Sequence, residues 1–317
     1  MLVAGAGAIG SVLGGFLALA GHRVTLLGRH PHLAAIAAEG LALEGLWGEH
    51  RVRSLALVSD AASLEPSYDA ILLTVKCYDT DAVLAATTGF LGEDGCVISL
   101  QNGLGNVERV RSAVGSERAL GARVIFGAEL PRPGVARVTV FADPTAVGAA
   151  APRTARAEYE ARRWAERMSA AGIPAEFTPD LHAHLWTKVF YNAALNPLGA
   201  LLGLPYGALA ADPDARALMD AVIEEGYAVA DARGVRPLAP TAAAYRAMFY
   251  GRLVPATAEH RSSMLQDLER GRRTEIEAIN GAVWRYGAQA GIPTPVNETL
   301  TRLVRWRERL AAAAARS

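Results

Sequence analysis

Lysine is nearly absent from this sequence, and one of its two occurrences begins a polar pattern. Of 32 cationic side chains, only Lys76 and Lys188 are lysine. An ammonium is a compact donor that can release a proton, whereas a guanidinium cannot readily do so. Lys188, Asn192 and Asn196 are spaced i, i+4, i+8, so a helix would align them in one stripe. Polar stripes usually face water, but asparagine is a poor helix former, so the stripe favours a functional role over the alternative of a solvated face.

Two further polar residues could serve such a site or only stabilise local structure. Glu275 follows Thr274 in the first turn of a predicted helix, where a carboxylate also suits the positive end of the helix dipole. Ser263 could equally be a helix cap. The residue pattern leaves both interpretations open at each position.

A glycine-rich turn near the first residue predicts a site for phosphate groups. Gly5 permits a tight turn, Gly7 lets the backbone approach a pyrophosphate, and Gly10 lets the helix pack against the sheet. Free N–H groups at the start of that helix favour anions. The pattern therefore predicts a dinucleotide site formed by Gly5, Gly7, Ala8, Ile9 and Gly10.

The end of the second predicted strand indicates which dinucleotide binds. NAD sites usually carry an acidic residue there for the ribose 2′-hydroxyl, but this chain has Gly28-Arg29-His30. Arg29 can bind a 2′-phosphate, so we predict NADP(H); the alternative is a solvated strand-end residue. Lys76 and Asn102 follow two later strands, and ligands of open α/β sheets bind beyond such ends. We expect Lys76 to reach a cofactor phosphate or ribose and Asn102 the nicotinamide region.

Apolar runs alternate with helical stretches through the first half of the chain. Runs such as Ala70–Val75 are typical of parallel strands buried on both faces, and the alternation predicts an α/β fold with a doubly wound, Rossmann-type parallel sheet. The segment Leu41–Val58 alternates like a hairpin with a turn near Glu44-Gly45. The predicted strands are Leu2–Ala4, Val24–Leu27, Ala70–Val75, Val97–Leu100 and Ala122–Phe126, and the predicted helices are Ile9–Leu19 and Pro31–Glu39.

Strand-like runs disappear from about Asp180 onward. Asp212-Pro213 is a typical helix start, and Gly234 is a suitable end for the helix that runs to Arg233. A helix capped by Thr274 and a last helix from about Pro295 follow. We therefore predict a dinucleotide-binding domain over residues 1–178 and an all-helical C-terminal substrate and catalytic domain over residues 179–317.

Composition excludes several classes of partner. The formal net charge is zero, which removes the broad attraction that nucleic acid or an acidic membrane would need. Two cysteines, Cys77 and Cys96, fit a reducing compartment, and no metal-ligand spacing occurs. We expect a cytoplasmic protein with a small-molecule substrate and with no nucleic acid, membrane or metal partner. A homodimer is compatible with the sequence.

These motifs occur in the order found in one known family. The sequence resembles ketopantoate reductase, or 2-dehydropantoate 2-reductase, over nearly the whole chain. The motifs that carry the resemblance are Gly5-x-Gly7-x-x-Gly10, Thr74-Val75-Lys76, Gln101-Asn102-Gly103-Leu104-Gly105, Leu185-Trp186-Thr187-Lys188 with Asn192 and Asn196-Pro197, Ser262-Ser263-Met264-Leu265-Gln266-Asp267, and Thr274-Glu275-Ile276 with Ile279-Asn280-Gly281.

The resemblance implies a fold like that of 6-phosphogluconate dehydrogenase, with a Rossmann domain followed by a helical domain. It implies NADPH-dependent reduction of ketopantoate to (R)-pantoate, on the route to pantothenate and coenzyme A. By motif matching, Lys188 would be the catalytic lysine and Glu275 the assisting carboxylate. The implied substrate contacts are Asn102, Asn192, Asn196 and Ser263, and the implied cofactor contacts include Arg29 and Lys76.

In such a reaction Lys188 would stabilise the developing oxyanion and deliver the proton. Asn192 and Asn196 would hold the carboxylate and carbonyl, while Glu275 and Ser263 would hold a substrate hydroxyl. Two alternatives stay open: a reductase of another small 2-keto acid, and a non-catalytic NADP(H)-sensing protein. A sensor would need neither Lys188 nor Glu275.

Overall fold

The first half of the chain folds around a largely parallel sheet of eight strands. A computed structural model describes residues 1–314 except the side chains of Ala312 and Ala314; residues 315–317, which belong to the predicted C-terminal domain, lie outside the described residues. The sheet order is β12-β11-β8-β7-β6-β1-β2-β5, and only β11 and β12 run antiparallel to the others. The strands are β1 (Leu2–Ala4), β2 (Val24–Leu27), β5 (Leu55–Val58), β6 (Tyr68–Leu73), β7 (Leu91–Ser99), β8 (Ala119–Arg123), β11 (Thr145–Ala149) and β12 (Ala175–Phe177).

The parallel register explains the continuous apolar runs in the sequence. Leu2 of β1 lies opposite Thr25 on one side and Ile71 on the other. Helices cover the sheet, so Leu2 and Ile71 have no solvent exposure. Each fully buried aliphatic side chain contributes roughly 1.5–3 kcal/mol. The Rossmann-type fold class is confirmed, and the helices of this half are α1 (Ala8–Leu19), α2 (His32–Glu39), α3 (Thr80–Thr87), α4 (Asn106–Val114) and α5 (Ala155–Ala170).

A second, four-stranded sheet has the order β4-β3-β10-β9 and corrects two predictions. Its strands are β3 (Leu41–Gly45), β4 (His50–Val52), β9 (Phe126–Glu129) and β10 (Val135–Phe141). The predicted hairpin exists in its first part, because β3 pairs antiparallel with β4 from Leu41 to Leu43, but its turn follows Gly45. The last part of the prediction is wrong, because β5 joins the main sheet beside β2. The single strand predicted over Ala122–Phe126 is also wrong, since β8 ends at Arg123 and β9 begins in the other sheet.

The described chain from His182 onward contains only helices as regular elements. They are α6 (Leu181–Leu202), α7 (Tyr206–Ala211), α8 (Pro213–Ala232), α9 (Ala242–Met248), α10 (Ser263–Glu269), α11 (Asn280–Ala290) and α12 (Pro295–Ala314), with shorter helical turns between them. Asp212 caps α8 as predicted, because its carboxylate accepts from the amides of Asp214 and Ala215 at 3.0 and 2.9 Å. Phe190, Tyr227 and Tyr245 pack ring against ring in the core of these helices. None of the described helices is long and apolar enough to cross a membrane.

The chain divides into two compact units. One consists of Met1–Gln101 and Asn106–Leu181, and the other joins Asn102–Gly105 to the chain from His182 onward. The second unit is therefore discontinuous in sequence, because four residues from the middle of the first half belong to it.

Helix α6 contains Pro197, which has no amide hydrogen to donate to the carbonyl of Ala193 one turn earlier. Asn280, at the start of α11, replaces the missing donor: its Nδ2 lies 3.0 Å from the oxygen of Ala193. The same amide group donates to Asn297 Oδ1 at 3.0 Å. The helix therefore passes through the proline with its interior carbonyl satisfied.

Candidate active site

The glycine-rich turn forms a backbone cradle at the start of α1. Gly5 has φ of 116°, and a Cβ there would lie 2.7 Å from the amide of Val75, so only glycine fits. The first helical hydrogen bond runs from Ser11 N to Gly7 O at 2.8 Å, which leaves the preceding amides, those of Ala8, Ile9 and Gly10, without helical acceptors. Such amides form an anion site.

The surroundings of Gly10 and Gly7 differ, and both are compatible with a phosphate-binding turn. A Cβ on Gly10 would lie 2.1 Å from Gly5 O, so this glycine permits the close packing of helix and turn. A Cβ on Gly7 would meet no described heavy atom within 4 Å, so its backbone faces open space. Thr74 Oγ1 donates to Gly5 O at 2.8 Å and fixes the turn against the neighbouring strand. The residues present therefore fit a dinucleotide phosphate.

Arg29 follows β2 and extends into solvent, with 89% of its side chain exposed. Its guanidinium lies 3.6 Å from Asp79 Oδ2. Asp79 comes from a short turn after β6 and not from the strand that carries Arg29, so the pairing has no local signal in the sequence. Lys76 is half-buried and directly precedes the same turn, Cys77–Asp79. An exposed ion pair of this kind is weak, so a phosphate could displace Asp79 from Arg29.

Lys188, Asn102 and Glu275 form a continuous hydrogen-bonded chain within the second unit. Lys188 Nζ donates to Asn102 Oδ1 at 2.6 Å, and Asn102 Nδ2 donates to Glu275 Oε2 at 3.4 Å. The amide is oriented by its neighbours, because the oxygen faces the cation and the nitrogen faces the carboxylate. Glu275 is only 6% exposed. The arrangement places a proton donor and a hydroxyl acceptor on the two sides of one amide.

Three parts of the chain position this group. Lys188 lies on the second turn of α6, and Glu275 directly precedes a 3₁₀ turn, Ile276–Ala278. The loop carrying Asn102 is attached to that turn, because the amide of Leu104 donates to the oxygen of Ala278 at 2.8 Å. The loop that carries the Asn102 side chain is thus attached to the same turn that follows the Glu275 carboxylate.

The two asparagines of the predicted stripe have different surroundings. Asn192 is 8% exposed, and its side chain makes no hydrogen bond to any described residue. Asn196 is 5% exposed and accepts from Tyr206 Oη at 2.6 Å. Burial raises the pKa of Tyr206 well above its usual range, so its hydroxyl stays a donor. The bond directs the Asn196 oxygen toward Tyr206 and leaves its Nδ2 to donate elsewhere.

The local roles considered for Ser263 and Thr274 need correction. Ser262, not Ser263, caps α10, since its Oγ accepts from Leu265 N at 3.0 Å. Ser263 is exposed and makes no hydrogen bond within the described chain, which leaves its hydroxyl for a ligand. Thr274 does not cap an α-helix, because a 3₁₀ turn precedes α11; its Oγ1 accepts from Ile276 N at 3.2 Å.

Sequence reasoning also missed the groups that support the site. Tyr206, Glu308 and Asp79 each contact a predicted functional residue or its neighbour, and each comes from a distant part of the chain. Their residue types carry no local signal that could have identified them. The described residues contain no cluster of three or more potential metal ligands.

Comparison with known proteins assigns both halves of the chain to one family. The family description "Ketopantoate reductase PanE/ApbA" matches residues 1–152, and "Ketopantoate reductase PanE/ApbA C terminal" matches residues 180–308. The chain belongs to the ketopantoate reductase family. It is 36% identical over 310 residues to the 2-dehydropantoate 2-reductase of Aquifex aeolicus, covering 97% of this chain and 96% of the relative. The enzyme of that name from Archaeoglobus fulgidus is 36% identical over 305 residues, with 96% of each chain covered.

Solved structures of the family and of a second enzyme share the fold. A PanE/ApbA family ketopantoate reductase from Ralstonia eutropha superposes with a TM-score of 0.86 at 35% identity, covering 98% of this chain and 99% of that one. D-mandelate dehydrogenase, solved with NADH and anilino(oxo)acetate, gives a TM-score of 0.85 at 26% identity with the same coverage. The family recognised in the sequence is therefore confirmed, and the protein is an oxidoreductase by membership.

Proposed function

We propose that this protein reduces 2-dehydropantoate to (R)-pantoate with NADPH. The hydrogen-bonded chain from Lys188 through Asn102 to Glu275 is the observation that carries the proposal. It joins a proton donor to a carboxylate that can accept from a substrate hydroxyl. Relatives that match over nearly the whole chain bear the name 2-dehydropantoate 2-reductase. We assign cofactor binding to residues 1–178 and substrate binding and catalysis to residues 179–317, with Asn102 contributed by the loop that belongs to the second unit.

The cofactor part of the proposal rests on the first unit. The backbone cradle at Gly5, Gly7, Ala8, Ile9 and Gly10 would hold the pyrophosphate, with Lys76 on a phosphate or the ribose. Arg29 would hold the 2′-phosphate, since its guanidinium presents several donors in a fixed plane. That is our reason for NADPH, although the related D-mandelate dehydrogenase was solved with NADH.

NADPH, when bound, supplies the hydride that reduces the C2 carbonyl. Lys188 donates a hydrogen bond to the carbonyl oxygen as negative charge develops there, then transfers its proton to give the hydroxyl. Asn102 holds the ammonium in position through the 2.6 Å bond from Lys188. Asn192 and the free Nδ2 of Asn196 donate to the substrate carboxylate and carbonyl.

Glu275 and Ser263 are the residues that favour ketopantoate as the substrate. Ketopantoate has a terminal hydroxyl behind a gem-dimethyl carbon, and Glu275 would accept from that hydroxyl. At 6% exposure the carboxylate has little access to water. A substrate without the hydroxyl would leave it poorly paired, and sites of this kind discriminate strongly against such analogues.

The test is NADPH oxidation with ketopantoate and with the analogue in which hydrogen replaces the terminal hydroxyl. We expect the analogue to react at least about a hundredfold less efficiently in kcat/KM. Glu275→Ala should reduce the difference in kcat/KM between the two compounds, because the analogue then leaves no carboxylate unpaired. Equal kcat/KM values for the two compounds in the unmutated protein would reduce the assignment to a general 2-keto acid reductase.

A second candidate follows from the likeness to D-mandelate dehydrogenase, whose ligand anilino(oxo)acetate carries an aromatic ring on a 2-oxo acid framework. In that case the substrate would carry an apolar group where ketopantoate has its hydroxyl. A panel of aliphatic and aromatic 2-keto acids distinguishes the two candidates, because only an enzyme built for ketopantoate should lose activity when the hydroxyl is removed.

A further inference from the structure

The residue before Glu275 is held by helix α12. Thr274 is 1% exposed, and both its amide and its hydroxyl donate to Glu308 Oε1, at 2.7 and 2.6 Å. A hydroxyl has one proton to give, so the bond to Glu308 fixes the direction of the Thr274 hydroxyl. Its lone pair then accepts from Ile276 N at 3.2 Å. One carboxylate on α12 therefore orders the residues on both sides of Glu275.

A second contact from α12 holds the end of the same segment. Arg305 binds Glu277 with two parallel hydrogen bonds, Nε to Oε1 at 2.5 Å and Nη2 to Oε2 at 2.8 Å. Such paired bonds restrict orientation as well as distance. Arg305 and Glu308 are three residues apart, so they lie on the same face of α12. The hydrogen bonds from Arg305 also hold the pKa of Glu277 below its usual range.

The segment held in this way supports the rest of the site. Glu275 accepts from Asn102, and Ala278 accepts from the amide of Leu104, two residues after Asn102. A shift of Thr274 would therefore move the carboxylate relative to the amide. The hydrogen bonds of Glu308 go to Thr274, not to the side chains of Lys188, Asn102 or Glu275. Its influence on the site passes through the backbone.

We propose that Glu308 is a positioning residue that sets the carboxylate of Glu275 for recognition of the substrate's terminal hydroxyl, in a segment whose other end is held by Arg305. The proposal rests on the function proposed above, in which Glu275 accepts from that hydroxyl. The competing explanation is that α12 is only fastened to its unit by these bonds. If α12 is only fastened, removal of these bonds should lower the free energy of unfolding and lower kcat/KM equally for every substrate. If Glu308 positions Glu275, its removal should lower kcat/KM for ketopantoate more than for the analogue without the hydroxyl.

The experiment compares Glu308→Ala with Glu308→Gln and with Arg302→Ala. The glutamine keeps an oxygen that can accept from Thr274. Arg302 pairs with Glu298 at 2.7 Å on the same helix and makes no ion pair with the segment 274–278 in the described chain, so it is a matched control. For each variant, kcat and KM are measured with ketopantoate and with the analogue lacking the hydroxyl. Hydrogen exchange of the amides of residues 274–278 is measured in parallel.

For Glu308→Ala we expect kcat/KM with ketopantoate to fall by about tenfold to a hundredfold, the scale of a misplaced contact group. The analogue should lose much less, and exchange in residues 274–278 should accelerate. Glu308→Gln should retain most of the discrimination, and Arg302→Ala should retain all of it. Thr274→Val, which removes only the hydroxyl, should repeat the loss in milder form if Glu308→Ala does not fold.

An equal fall in kcat/KM for both compounds in Glu308→Ala, or unchanged discrimination, would overturn the positioning role. Failure of the proposed function would look different, because the unmutated enzyme would then show no preference for ketopantoate over its analogue. In that event the exchange measurement still decides whether Glu308 orders the segment around Glu275, and unchanged exchange would reject the proposal.

Discussion

Gly103 allows the sharpest test of how the Asn102 loop is held. Its φ is +87°, and a Cβ there would lie 2.4 Å from the oxygen of Ala278 and 2.6 Å from its Cβ. Real Cβ atoms essentially never approach a heavy atom within 3.0 Å, so in Gly103→Ala the two segments must separate by about 0.6 Å. That movement would lengthen the Asn102–Glu275 hydrogen bond, which is already 3.4 Å.

The expected loss in the free energy of unfolding has two parts. An alanine in the left-handed region costs roughly 1–2 kcal/mol, and an overpacked contact adds about 1–3 kcal/mol. We therefore expect Gly103→Ala to lower the free energy of unfolding by about 2–5 kcal/mol in urea denaturation. The kcat/KM with ketopantoate should fall by up to about a hundredfold, since displacements near 1 Å have that effect.

Gly234→Ala is the matched control. Gly234 has φ of +68°, and a Cβ there meets no described heavy atom within 4 Å. It should show only the backbone part, about 1–2 kcal/mol, with normal kinetics. Equal stability losses and normal kcat/KM in both variants would refute the reasoning, because the contact with Ala278 would then constrain nothing that matters to catalysis.

Three further predictions concern single side chains. Lys188→Ala should lower kcat by about two or more orders of magnitude in steady-state assays with little change in NADPH affinity, and Lys188→Arg should not restore it; near-normal turnover would make the stripe structural. Arg29→Asp should weaken NADPH binding far more than NADH binding in fluorescence titrations, and equal kinetics of the unmutated enzyme with both cofactors would contradict this. Burial lowers the pKa of His32, whose ring bonds Ser11 and the Gly134 amide; the unfolded chain, with its pKa near 6.5, then binds protons more readily. The contribution of His32 to the free energy of unfolding should therefore be full above about pH 6.5 and be lost as the pH falls below it. In urea denaturation at several pH values, His32→Gln should make the loss of stability at low pH smaller.

The sequence predicted the parts of the fold whose signals are local. The first strand, the turn at Gly5 and the helix after it follow from apolar runs and glycine spacing within a few residues. The end of α8 shortly before Gly234 follows in the same way, because glycine adopts the left-handed backbone that the position requires. Such features depend on neighbours in the chain.

The errors concern pairing between distant strands. Nothing in the residues near Leu55 indicates that this strand joins β2 rather than β4, and nothing near Ile125 indicates that the chain changes sheets there. The same limit applies to the site. Lys188 stands out because lysine is rare, but Glu308 is one acidic residue among many until the fold brings it to Thr274.

The proline in α6 restricts the order in which this protein could have changed during evolution. Pro197 leaves the Ala193 carbonyl dependent on Asn280. A lineage that lost Asn280 first would bury an unsatisfied carbonyl, at a cost of about 1–3 kcal/mol. A lineage that lost Pro197 first would regain the backbone N–H that donates to Ala193. Asn280 would then be needed only for its hydrogen bond to Asn297. The two positions are therefore epistatic, and one order of substitution is much more accessible than the other.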